Sequence, residues 1–236
     1  MTHANADAAR GEEGGRDWES ALLLLVPAAE PAVAKHRATL DASARYGVPA
    51  HLTVLYPFLP PGLIDDAVLA SLGDLFAGVA GFRLTLDRVG WFGDDVVWLG
   101  PRDEAPLRAL TGLAFAAFPS CAPYGGQHAD VVPHLTVGHL GGASALRAAG
   151  EAVRHRLPIE AAATKVTLMT GPPTGNPGTS PGRWRTMAEF GFGRPGRLPE
   201  PSGLSLAGPF GMTAGRCGPM LVLFPPRWHY LRIGRW

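Results

Sequence analysis

Cysteine is nearly missing from this 236-residue chain. Its two copies, Cys121 and Cys217, belong to no Cys-x-x-Cys pair, so neither a thiolate metal cage nor a disulfide framework is expected. Two reduced thiols in a cytoplasmic protein are the plain reading, and a chain of this length buries a core without staples. Long apolar runs are missing as well. Ala21 to Ala29 falls far short of the ~20 residues that a membrane helix requires, so no membrane partner is expected. Residues 1–17 set Asp7, Glu12 and Glu13 among small side chains, with no basic start and no apolar stretch; they read as a disordered leader, not a secretory signal. Positive charge is scarce where a nucleic-acid-binding body would need it. Of 21 basic and 20 acidic residues, six and one lie from Arg194 onward, which leaves 15 and 19 in the first 193 positions. A net negative body is poorly suited to non-specific binding of long nucleic acid, which depends on many neutralised phosphates. A nucleotide or an RNA terminus is the easier substrate. The chain also lacks G-x-x-x-x-G-K-[ST], and no helix follows the Gly- and Pro-rich stretch Gly171 to Gly182, which argues against a nucleoside-triphosphate site.

What is present is a repeated tetrapeptide. His51-Leu52-Thr53-Val54 and His134-Leu135-Thr136-Val137 stand 83 residues apart, each shortly after a proline and at the head of an apolar run. On a strand, alternate side chains share a face, so each copy places an imidazole and a hydroxyl together, roughly 6.6 Å apart along the strand. Were the two strands to meet across a pseudo-twofold, both pairs would converge on one cleft suited to a tetrahedral oxyanion such as a phosphodiester.

The surrounding pattern repeats too. Ala21 to Val26 reads as a buried strand, Glu30 to Tyr46 as a helix with Pro31 in its first turn and Gly47 past its end, and His51 to Phe58 as a strand. A second unit follows in the same order: strand Val96 to Leu99, helix Ala105 to Phe118, a longer loop, then the second motif. Between the units, Asp65 to Ala80 reads as an amphipathic helix on a sheet, and Phe82 to Val89 as a strand turned by Asp94-Asp95 into a hairpin at a sheet edge or corner. Helix Ser144 to Leu157, strand Ile159 to Met169 and strand Trp184 to Phe192 complete a domain over residues 18–193. From Arg194 to Trp236 the composition turns to Gly, Pro and Arg without periodicity, and a mostly disordered extension is expected, with Leu221 to Phe224 as its one candidate docking segment.

Opening a cyclic phosphodiester with water needs one group to accept a proton from the attacking water and another to protonate the departing ribose oxygen. Two histidines can divide that work near neutral pH, and threonine hydroxyls can donate to non-bridging oxygens. No cofactor or metal is required by this scheme. The set His128, His134 and His139 does not suggest a metal, because positions 134 and 139 face opposite sides of a continuous strand. Tyr56 and Phe58, at offsets of five and seven from His51, likewise fall on the face opposite to it, in the core. Tyr124, in Tyr124-Gly125-Gly126-Gln127, could stack a base or pack over the core. Arg183 and Arg185, beside a loop that could cover the cleft, could reach a phosphate or be surface charges.

The segments Pro49-Ala50-His51-Leu52-Thr53-Val54-Leu55-Tyr56-Pro57-Phe58 and Val132-Pro133-His134-Leu135-Thr136-Val137-Gly138 resemble the 2H phosphoesterase superfamily, and within it bacterial 2′-5′ RNA ligase-like (LigT-like) proteins. The likeness covers about Trp18 to Gly193. It implies a bilobal α+β fold with two pseudo-symmetric lobes of antiparallel sheet and flanking helices around a central cleft. It also implies His51 and His134 as the catalytic pair, Thr53 and Thr136 as phosphate ligands, and metal-independent action on 2′,3′-cyclic phosphates or 2′-5′ linkages. Ligation of RNA ends, or binding without turnover, are the alternatives. No obligatory protein partner is evident, and a monomer is expected.

Overall fold

The computed structural model describes residues 18–126, 131–174 and 182–193, all within one compact unit, Met1–Pro195. The expected leader, the 194–236 extension with Cys217, and His128 lie outside the described residues. Among the described residues, eight strands and five α-helices run in the order β1 (Glu19–Leu25), α1 (Glu30–Leu40), α2 (Ala42–Arg45), β2 (His51–Leu55), α3 (Asp66–Ala77), β3 (Phe82–Phe92), β4 (Val96–Pro101), α4 (Ala105–Ala117), β5 (Leu135–Gly138), α5 (Gly142–Arg154), β6 (Ile159–Ala163), β7 (Lys165–Gly171) and β8 (Arg185–Gly191).

The strands form two four-stranded antiparallel sheets, ordered β2-β1-β7-β8 and β5-β4-β3-β6. Each has the motif strand at one edge, beside the strand that opens its own unit. This is an α+β fold of two lobes, and the lobes interlock. Helix α1, from the first unit, packs on β5 of the second, and α4, from the second unit, packs on β2 of the first. One buried apolar cluster therefore runs from Leu22, Leu24 and Leu52 through to Leu86, Leu99 and Leu135. At about 1.5–3 kcal/mol for each buried leucine, that shared core binds the lobes far more tightly than surface contacts could.

Four expectations are corrected. The helix read over Glu30 to Tyr46 breaks at Asp41, whose extended backbone (φ −126°, ψ 118°) ends α1 while its carboxylate accepts from the Ser43 N–H to cap α2. The strand read over Ile159 to Met169 is two strands in different sheets, divided at Thr164; the apolar alternation changes parity there, from Ile159, Ala161 and Ala163 to Val166 and Leu168, across the exposed pair Thr164 and Lys165. The β3-β4 hairpin lies in the middle of its sheet, not at an edge, because β5 and β6 flank it. Finally, Tyr56 is not on the core side.

That last correction has a cause in the register. Leu23 pairs with Thr53 but Leu22 with Leu55, so Val54 is an extra residue, and a bulge shifts the alternation of everything after it by one. Tyr56 is thereby carried to the His51 side, while Phe58, beyond the strand, returns to the core against Phe118 at 5.0 Å. The second motif repeats the device: Trp98 pairs with Thr136 and Val97 with Gly138, leaving Val137 as the extra residue.

Candidate active site

Both motif histidines are built alike. The carbonyl oxygen of Pro49 lies 2.7 Å from His51 Nδ1, and that of Val132 lies 2.7 Å from His134 Nδ1. A carbonyl only accepts, so each Nδ1 carries the proton and each neutral ring keeps its lone pair on Nε2. The prolines act differently in the two copies: Pro133 restricts Val132, whose carbonyl meets His134, whereas Pro49 itself supplies the carbonyl that meets His51.

Strands β2 and β5 are in contact, and the imidazoles are close enough that a charge on His134 lowers the pKa of His51. The principal cause of that lowering is burial. The Arg37 guanidinium adds to it, and the Pro49 hydrogen bond and Asp41 only partly offset it, so His51 is held at about 4. Burial lowers His134 too, against the Val132 hydrogen bond. Both histidines are accordingly neutral in the free protein at pH 7.

Thr53 stands on the face of the first sheet shared with Leu23, Leu25 and the small cluster of Ala21, Val48, Met169 and Trp184. Tyr56 joins that face and donates from its hydroxyl to Glu19 Oε2 at 2.6 Å; Glu19 is mostly desolvated, and its carboxyl is raised by burial. In the second sheet, Trp98 opposes Thr136, and its ring lies 6.0 Å from His134 and 5.2 Å from Phe92. Phe92 meets His134 edge to face at 5.0 Å. Gly90 makes room for this wall, since a Cβ there would stand 2.2 Å from the Trp98 ring.

Tyr124 belongs to the second unit and reaches the first. Its N–H donates to the Tyr56 carbonyl at 2.6 Å, and its hydroxyl comes within interacting range of the Thr53 side chain. The Arg183 guanidinium lies against Gly47, a position at φ +89° where a Cβ would meet it at 2.9 Å. Arg185 stacks over Trp18 at 5.0 Å and pairs in the ladder with Thr170, so its strand position faces away from Met169 and the histidine side. His139 is half-buried, 3.8 Å from Asp41, and its pKa is lowered chiefly by burial.

A support beneath His51 went unseen in the sequence. Arg37 is 2% exposed; it donates to Asp41 at 2.9 Å and to Ser43 Oγ and the Val48 carbonyl, each at 3.2 Å. Glu30 accepts from the Ala50 N–H at 2.7 Å. Residues 48–50, which carry the carbonyl that orients His51, are thus clamped from α1. The fork of Arg37 and Asp41 at i, i+4 looks in sequence like an ordinary surface pair. A better signal existed for Tyr124: Tyr46-Gly47 precedes Val48-Pro49 as Tyr124-Gly125 precedes Val132-Pro133, a second repeated dipeptide on the way into each motif.

A family model described as the 2′-5′ RNA ligase superfamily matches residues 25–171. No curated protein matches. Solved structures similar to the chain include E. coli LigT complexed with 3′-AMP (20% identity, covering 74% of this chain and 97% of that one, TM-score 0.48). Others are a phosphoesterase (21%, 75% and 99%, 0.44) and TT0787 of Thermus thermophilus (18%, 73% and 97%, 0.46). Because the family match spans more than half of the sequence and takes in both His-x-Thr strands, the chain belongs to the 2′-5′ RNA ligase superfamily, and so to the 2H phosphoesterases.

Proposed function

We propose that the protein is a phosphodiesterase that opens 2′,3′-cyclic phosphates, or cleaves 2′-5′ linkages, at the end of a nucleotide or RNA. His51 and His134 divide the acid and base roles, and Thr53 and Thr136 hold the phosphate. The supporting observation is the matched pair of Nδ1 hydrogen bonds, which leaves an Nε2 on each ring for proton transfer. One Nε2 takes a proton from water as its oxygen bonds to phosphorus. The other Nε2, protonated, gives its proton to the ribose oxygen as the P–O bond breaks. Charge and protons balance on these groups without a metal.

Two neutral histidines in the free site must become one neutral and one charged. An incoming phosphodiester supplies the driving force: its negative charge sits beside two desolvated rings and raises their proton affinity, so one takes up a proton on binding. The negative body of the chain suits a small substrate over a long strand.

The test is turnover of a 2′,3′-cyclic mononucleotide and a 2′-5′ dinucleotide in the presence of EDTA, by wild type, His51→Ala and His134→Ala. Retained wild-type activity with a loss of at least about 10²-fold in each variant is expected. Activity that disappears on chelation, or that survives in both variants, rejects the two-histidine scheme. Tight binding of both compounds without turnover would make the protein a nucleotide-binding module.

A further inference from the structure

The sequence leaves Tyr124 between two uses, a platform for a base or a side chain packed on the core. The structure sets the Tyr124 turn against the end of β2 through the Tyr56 carbonyl and brings the Tyr124 hydroxyl within interacting range of the Thr53 side chain. The residue is held there at some cost. Its backbone is left-handed (φ 51°, ψ 34°), a conformation side chains with a Cβ disfavour, and it is the only non-glycine with positive φ among the described residues. The N–H bond to the Tyr56 carbonyl at 2.6 Å fixes that turn onto the end of β2, just past the bulge that brings Tyr56 to this face. At the second motif the neighbour differs: across the ladder from Thr136 stands Trp98, an indole.

We propose that the Tyr124 hydroxyl is a fifth group at the phosphate, donating a hydrogen bond to a non-bridging oxygen beside Thr53. The inference rests on the reading that this site turns over a phosphodiester. In the free protein the two hydroxyls stand beside each other. With substrate bound, both O–H bonds can rotate toward the phosphate while the side chains stay in place, so the donors are in position before charge develops. The phosphate then meets two hydroxyls at the first motif and one at the second. The tyrosine also crosses from the second unit to the first, so the complete phosphate site requires both.

Steady-state kinetics on a 2′,3′-cyclic mononucleotide test this with Tyr124→Phe and Tyr124→Ala, alongside thermal melts. If the hydroxyl serves the phosphate, Tyr124→Phe lowers kcat by about 10²-fold, with KM within a few-fold of wild type and an unchanged Tm. A platform role predicts the reverse: Tyr124→Phe with wild-type kcat and Tyr124→Ala with a raised KM, and that pattern overturns the proposal. Should Tyr124→Phe melt early, 3-fluorotyrosine at position 124 keeps the shape and strengthens the donor; kcat then shifts while KM holds, and an unmoved kcat overturns the proposal. Absence of wild-type turnover would remove the reading beneath it, whereas an active Tyr124→Phe removes this inference alone.

Discussion

Arg37 and Val48 are joined by a buried hydrogen bond, guanidinium to carbonyl oxygen at 3.2 Å, one residue before the Pro49 carbonyl that orients His51. The same guanidinium neutralises Asp41, which is 1% exposed. A helix residue of the first unit therefore braces the segment that orients the first motif histidine and adds to the lowering of its proton affinity by burial.

Replacing Arg37 with Met removes the cation but keeps much of the volume. Asp41 is left charged and buried without its partner, and a loss on the order of 3–5 kcal/mol in denaturant unfolding is expected. His51, relieved of a nearby positive charge, should titrate at higher pH, as followed by NMR of its ring protons. Arg37→Lys retains charge but cannot fork to Asp41, Ser43 and Val48 at once, so it should recover the titration more fully than the stability. An unmoved His51 titration in Arg37→Met would show that the guanidinium does not act on the ring.

Stability should fall on mild acidification. His51 titrates at about 4 when folded and 6.5 when unfolded, so between those values the unfolded chain binds the extra proton. Its contribution is complete above about pH 6.5 and is lost as the pH falls toward 4, a change on the order of 3 kcal/mol. His134 and His139, also lowered by burial, act with the same sign; Glu19, raised by burial, acts with the opposite one. Urea unfolding at pH 7, 5.5 and 4.5 measures the slope, and His51→Gln should flatten it.

Gly90→Ala should damage the wall beside His134. The added methyl would stand 2.2 Å from the Trp98 ring, which must move off Phe92 and the imidazole. A stability loss of about 1–3 kcal/mol is expected, with altered tryptophan fluorescence and reduced turnover. Gly73→Ala is the control. Position 73 lies within α3, a Cβ there meets nothing within 4 Å, and the substitution should stabilise by about 0.5–1 kcal/mol.

Truncation after Pro195 should leave turnover unchanged and shift Tm by no more than about 2 °C, the size of a surface effect. The basis is that both motif strands, the helices packed on them and the apolar core between them lie within residues 18–193. A large drop in Tm would move the domain boundary into the extension.

The helices and most strands were legible because each carries its own period. In α3, Leu72 and Phe76 bury one face, and Asp65 caps the first turn by accepting from the Val68 N–H. Strand Ile159 to Met169 was misread because the change of parity at Thr164-Lys165 reads equally as an irregularity within one strand, and only the pairing shows that the chain leaves one sheet for the other there. Tyr56 was misplaced because face-counting assumes an unbroken ladder, and a bulge exists only where two strands pair.

His51, Thr53, His134 and Thr136 needed no structure to be singled out, since alternation and repetition are properties of the chain itself. The sequence by itself also carries the order of the two units, and with it the expectation of a pseudo-twofold. Which helix supports which motif, and that α1 rests on β5 while α4 rests on β2, was decided only in three dimensions, because burial joins the largest apolar faces regardless of their distance in sequence. The burial of Arg37, the turn that sets Tyr124 against the end of β2 and the swing of Tyr56 to the histidine face are likewise tertiary. Arg37 depends on how the chain folds back after α1, Tyr124 on the end of a strand from the other unit, and Tyr56 on the pairing register.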